Sequence, residues 1–107
     1  MKLLTKAIEK ALKPLDDDKE YSRAKAVAHF FTAWINFDWY PVAGRHEGKG
    51  DNADFVFYGF VRGFEDEEWG FFSLRDLESI KGPGCLKVER ELRFPPTPIS
   101  KIINKKT

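Results

Sequence analysis

Two histidines, one cysteine and several groups of carboxylates are the side chains of this sequence whose types could do chemistry. His29 sits between Ala28 and Phe30 in an apolar run, whereas His46 sits between Arg45 and Glu47 in a polar, glycine-rich stretch. A zinc site needs three or four ligands converging on one point. Nothing in the sequence draws the two histidines together, so His29 reads as a half-buried, hydrogen-bonded residue and His46 as a solvated one. Cys85 follows Gly82-Pro83-Gly84 with no local signature of a cysteine enzyme around it, and packing is its expected role. The Asp16-Asp17-Asp18 run lacks the alternating ligands, the Gly and the closing Glu of a calcium loop. Glu65-Asp66-Glu67-Glu68 reads as a solvated acidic turn rather than a working acid–base pair. Arg90 breaks a pattern: it alternates in phase with Leu86, Val88, Leu92 and Phe94, which would aim its guanidinium at the core. A buried arginine needs partners, either a structural carboxylate such as Glu68 or Glu78 or a carboxylate or phosphate ligand. These residues imply no catalytic set, no metal and no cofactor; an enzyme built on Arg90 with a carboxylate or Cys85 would require a pocket where those groups meet.

The elements that must position these groups follow from periodicity. Leu4, Ile8, Ala11, Leu12 and Leu15 repeat at helical spacing, giving an amphipathic helix over 5–13 with Thr5 at its N-cap, ended by Pro14. Period two over 24–32 predicts a strand, and 37–42 a second one. Gly44, Gly48, Gly50, Asp51 and Asn52 then predict a long, mobile hairpin loop over 44–52 that matches neither a P-loop nor a dinucleotide fingerprint. The clearest strand is 54–64, with Phe55, Phe57, Gly59 and Val61 on one side and Val56, Tyr58, Phe60, Arg62 and Phe64 on the other. Two apolar faces mean either a strand covered on both sides or one aromatic face left for a partner. Residues 69–72 return as its hairpin partner. Ser73 caps a helix over 74–81, with Phe72 and Leu77 at the positions of a hydrophobic staple and Gly82-Pro83-Gly84 ending it. Residues 86–94 predict a strand, and Thr97-Pro98 start a terminal helix that docks Ile99, Ile102 and Ile103. The expected fold is a single α+β domain over 1–107, an antiparallel sheet of about five strands with two or three short helices.

A chain of 107 residues holds one core, and its 18 basic against 17 acidic residues give a net charge of +1, excluding an overwhelmingly basic nucleic-acid binder. The charge is graded. Residues 1–53 carry nine bases and eight acids, 54–94 carry six and nine, and the last thirteen carry three lysines and no acid. A nucleic-acid binder would use Arg45, Lys49, Arg62 and the tail lysines Lys101, Lys105 and Lys106, with strong salt dependence. Fourteen of the sixteen aromatic residues fall between Phe30 and Phe72, more rings than one small interior requires. Trp34, Trp39, Tyr40 and Tyr58 read ordinarily as core, and with Arg90 they are also the expected partner-binding set, since Trp and Tyr give large contact area at low entropic cost. On that expectation Trp39→Ala weakens partner binding and leaves the melting temperature nearly unchanged. No apolar run is long enough to span a membrane and no secretory signal opens the chain, so the expected location is cytoplasmic.

Several strings taken together resemble one family: Lys2-Leu3-Leu4-Thr5, His29-Phe30-Phe31-Thr32, Asp38-Trp39-Tyr40, Tyr58-Gly59-Phe60-Val61, Gly70-Phe71-Phe72-Ser73-Leu74, Leu77-Glu78, Gly82-Pro83-Gly84, Val88-Glu89-Arg90-Glu91-Leu92 and Pro96-Thr97-Pro98. The sequence is similar to the bacterial domain-of-unknown-function 2958 family over nearly its whole length, most specifically from Phe72-Ser73-Leu74 to Glu89-Arg90. The resemblance brings no catalytic residues. It implies an accessory protein of plasmids, integrative elements or phage-like islands, serving element maintenance or countering host defence. The combined expectation is a non-enzymatic protein that binds a protein partner, with an inhibitor of a host defence complex as one form. A nucleic-acid-binding accessory protein and a small enzyme of unknown reaction are the alternatives.

Overall fold

Thr5 and Ser73 open two helices by satisfying backbone donors that the first turn leaves unpaired. The Thr5 hydroxyl accepts the Ile8 N–H at 3.2 Å ahead of α1 (Lys6–Ala11), and the Ser73 hydroxyl accepts the Asp76 N–H at 3.1 Å ahead of α2 (Leu74–Ser79). The computed structural model describes residues 2–15, 21, 23–63 and 66–104. Asp16-Asp17-Asp18, Phe64, Glu65, Lys105 and Lys106 lie outside the described residues. Both helices are six residues long, shorter than the periodicity predicts, because each is followed by a residue in extended conformation, Leu12 after α1 and Ile80 after α2. Gly82 is not the left-handed residue expected there. That conformation falls on Gly84 (φ 61) and Cys85 (φ 70), in a 3-10 turn over Pro83–Cys85.

The antiparallel meander of β4 (Phe37–Glu47), β5 (Asp54–Gly63) and β6 (Asp66–Ser73) forms the body of the sheet, in the order β6-β5-β4. The far side of β4 is shared. Its first half pairs antiparallel with β3 (Phe30–Phe31), which in turn pairs with β7 (Glu89–Arg90), and its second half pairs in parallel with β1 (Lys13–Pro14). A separate two-stranded ribbon joins β2 (Lys25–Ala26) to β8 (Thr97–Pro98), and α3 (Ile99–Asn104) follows directly.

Four expectations need correction. The strand expected over 24–32 is broken into β2 and β3, which belong to different sheets. The edge of β4 that a continuous strand would use beyond Trp39 is taken at Ala43 and Gly44 by β1, and β4 itself bulges between Pro41 and Ala43 in its pairing with β5. The loop expected over 44–52 begins later, since β4 runs on to Glu47 opposite Asp54 and only 48–53 connect, through a 3-10 turn at Gly50–Asn52. The strand expected over 86–94 is reduced to β7, because the chain turns at Leu92–Arg93. Leu92 is accordingly 68% exposed rather than buried. Thr97 and Pro98, expected to open the last helix, are strand instead, while Ile99 and Ile102 dock as anticipated.

Both faces of the sheet are covered. On one, α1 and α2 bring Leu3, Ile8, Leu12 and Leu77 over Phe30, Trp39, Phe55, Phe57, Phe72 and Val88. On the other, Tyr21, Ala24, Ala26, Ile99 and Ile102 pack over Val42, Ala43 and Phe60. The alternation of β5 divides its rings between the two layers, and the bulge in β4 lets Val42 and Ala43 serve the same layer despite being adjacent. The result is an α+β domain with a mostly antiparallel sheet and three short helices.

Candidate functional site

The expected partner-binding residues do not gather into one surface. Trp39 is 7% exposed, stacks on Phe37 at 5.6 Å and belongs to the α1/α2 layer, so its ring offers no free face. This corrects the expectation that Trp39 docks a partner; strand register places it beside Phe30 and Val61, both inward on the same side. Trp34 is half-buried with its ring over Gly82, where a Cβ would collide with it. Arg90 is half-buried and its Nε donates to the Lys2 carbonyl at 3.0 Å, fastening the N-terminal segment to β7. The phase shared with Leu92 and Phe94 is lost because the strand ends at Arg90.

Tyr40 leads instead to a cluster that residue spacing alone missed. Its ring stacks on His29 with centroids 4.6 Å apart and an interplanar angle of 6°. The imidazole is held from both ends: Nε2 meets Asp38 Oδ1 at 2.6 Å and Nδ1 meets Glu91 Oε1 at 2.7 Å. These partners lie beyond β3 on either side, on β4 and just past β7, so the histidine clasps three segments together. Burial by itself would lower the His29 pKa. The hydrogen bonds to Asp38 and Glu91, with the charges of both carboxylates, outweigh it and raise the pKa above its ordinary 6.5. The stacked phenol ring also favours an imidazolium. The Tyr40 hydroxyl is itself pushed up to about 12, first by burial and then by the Asp38 charge, against the opposing pull of Arg62.

The clasp is one end of a row of charges crossing the sheet on the α3 side. Asp38 lies opposite Arg62 on β5, and Arg62 lies opposite Glu67 on β6, with Arg62 Nε donating to Glu67 at 3.0 Å. A second guanidinium nitrogen of Arg62 donates to the Ile102 carbonyl at 2.9 Å and ties α3 down. Signs alternate along the row Glu91, His29, Asp38, Arg62, Glu67 once His29 is protonated, which makes each neighbour pair attractive. With both ring nitrogens occupied, His29 has no free lone pair to act as a base. Its two carboxylates approach opposite ends of the ring and do not converge as metal ligands must. Among the described residues no group of three or more His, Cys, Asp and Glu is placed to hold a metal ion.

The exposed aromatic surface lies elsewhere, on β6. Phe71 is 64% exposed on this strand, which among the described residues pairs with β5 alone. Tyr58 lies opposite it on β5 at 4.9 Å between centroids, and Trp69 stacks on Tyr58 at 5.7 Å. Tyr58, one of the residues expected to meet a partner, thus lies beside Phe71, while Trp69 and Phe71 were read only as strand residues. Alternation assigns Phe72 inward and Phe71 outward, but only the strand order reveals that β6 is the last strand of the sheet among the described residues.

The bases of the nucleic-acid alternative are dispersed. Arg45 is paired with Glu47 at 2.8 Å, Arg62 is held by Glu67 and Ile102, and Lys49 and Lys101 are exposed on the β4–β5 connection and on α3. Arg62 lies across from Asp38 and Arg45 seven positions further along β4, about 23 Å at strand rise. His46 is exposed as expected, but its Nε2 contacts the Glu9 carboxylate and its ring stands edge-on to Phe55, linking β4 to α1. Cys85 is exposed and free. No helix among the described residues is long and apolar enough to cross a membrane.

Fold and site together define a small α+β domain with rings on both sides of its sheet, a charged clasp at one edge and an uncovered aromatic strand at the other. The chain belongs to the family described as protein of unknown function (DUF2958), whose model matches residues 3–106. No curated protein and no solved structure matches it.

Proposed function

We propose that this chain is a non-enzymatic, cytoplasmic protein-binding module, acting as an accessory of a bacterial mobile element by occupying a protein partner along β6. The observation that carries this reading is Phe71: a large ring, 64% exposed, on an eight-residue strand that among the described residues pairs along one edge alone. Such edges present backbone N–H and C=O groups that pair readily with another chain. Tyr58 and Trp69 extend the contact area beside it. The engaged ring nitrogens of His29 favour binding over catalysis, and the spacing of Arg45, Lys49 and Arg62 weighs against a phosphate-tracking groove. The mobile-element setting is the one that the family resemblance implies, and blocking a host defence protein is one form such binding takes.

A photo-crosslinking residue substituted for Phe71, expressed in the producing bacterium, tests this. The expected result is a discrete protein adduct, absent when the same residue replaces exposed Lys6 on α1 and lost when Trp69→Ala is added to a chain of unchanged melting temperature. Equal labelling from both positions, or an adduct indifferent to Trp69→Ala, contradicts the reading.

A further inference from the structure

We infer that the segment β6 receives is extended and alternates basic with apolar residues. This deepens the docking proposed above and rests on it. Strand alternation gives β6 two unlike faces. One carries Glu67, Trp69, Phe71 and Ser73; the other carries Asp66, Glu68, Gly70 and Phe72. On the first face Glu67 is already neutralised by Arg62, leaving the rings as the available contact. On the second, Phe72 is turned into the core, and Asp66 and Glu68 are exposed with no ion pair among the described residues. A Cβ built on Gly70 meets nothing within 4 Å, so there is open space beside Glu68. A strand added along this edge would therefore set every second side chain against Trp69 and Phe71. The intervening ones would lie over Gly70 toward Asp66 and Glu68. Lysine or arginine fits the second position because its aliphatic stem can cover the glycine while its charge reaches the carboxylates. The acids also select against other occupants: an acidic or neutral strand would desolvate them without compensation.

The test uses the full chain and three blocked peptides alternating Lys-Val, Gln-Val and Glu-Val, with amide hydrogen exchange of β6 and Trp69 fluorescence as readouts. The Lys-Val peptide should slow exchange of the β6 amides and perturb Trp69, with affinity falling as salt rises. Glu68→Lys should weaken it by about fivefold, the worth of one exposed charge pair, and the Glu-Val peptide should not bind. Equal protection by the Gln-Val peptide would overturn the basic partner and leave the docking edge standing. Protection of β6 that grows with protein concentration, without peptide, would make the occupant a second copy and overturn it likewise. If no peptide protects β6 while the Phe71 adduct still forms, docking is not strand addition and this inference falls alone. If the adduct is missing too, both fall.

Discussion

His29 shows how much one side chain can be asked to hold. Removing it leaves Asp38 and Glu91 facing each other's neighbours without their shared partner, and breaks the stack on Tyr40. His29→Ala should destabilise the fold by about 1–3 kcal/mol, measured by urea unfolding near pH 6.5. The pH dependence has a definite sign. Because the folded-state pKa is raised above 6.5, the folded chain holds a proton that the unfolded chain gives up first. The clasp's contribution is fully present below pH 6.5 and is lost as pH rises through the higher folded value. The stability difference between the wild-type chain and His29→Gln should therefore shrink from pH 6.5 upward; a difference that grows with pH would show that the imidazole is held neutral. The sequence marked His29 as hydrogen-bonded from its half-apolar setting. It did not supply Asp38 and Glu91, since their approach depends on β3 lying between β4 and β7, a pairing made by residues distant in the chain.

At the scale of elements, what was readable was local. The caps at Thr5 and Ser73 and the staple of Phe72 with Leu77 are fixed by neighbours a few residues away, and the structure has all three. The broken 24–32 strand was not readable because the segment that takes its place on the edge of β4, β1, comes from elsewhere in the chain. The shortened 86–94 strand fails similarly: alternation continues through Leu92 and Phe94, but the chain turns at Leu92–Arg93 and Phe94 joins the opposite layer. Glycines across the β5–β6 ladder separate the crowded centre of the sheet from its edge. Gly59 and Gly70 are directly paired, yet a Cβ on Gly59 would strike the Tyr40 carbonyl and Pro41, whereas Gly70 has room. Gly59→Ala should lose about 1–3 kcal/mol of stability by forcing β4 away, while Gly70→Ala should lie within about 0.5 kcal/mol of wild type. Thermal unfolding of the two variants side by side checks this, and equal losses would place β6 in a crowded interior rather than at an open edge.

For the molecule as a whole, the α+β class and the central position of β5 were legible in composition and period. The choice between two covered faces and one open face was not, and the answer is that the helices cover both. Among the described residues the one large exposed ring, Phe71, sits where the sheet runs out of strands, on β6. Trp39, taken from its type as a partner anchor, belongs to the interior. Trp39→Ala should cost about 3–5 kcal/mol, as the loss of a buried aromatic does. The most direct test of the account is a comparison of Trp39→Ala with Phe71→Ala, each measured for melting temperature and for adduct formation from a crosslinker placed at exposed Asp66 on β6. The account predicts a marked fall in melting temperature for Trp39→Ala alone, and loss of the adduct at unchanged melting temperature for Phe71→Ala. A Phe71→Ala chain that melts as early as Trp39→Ala, or one that still forms the adduct in full, would contradict it.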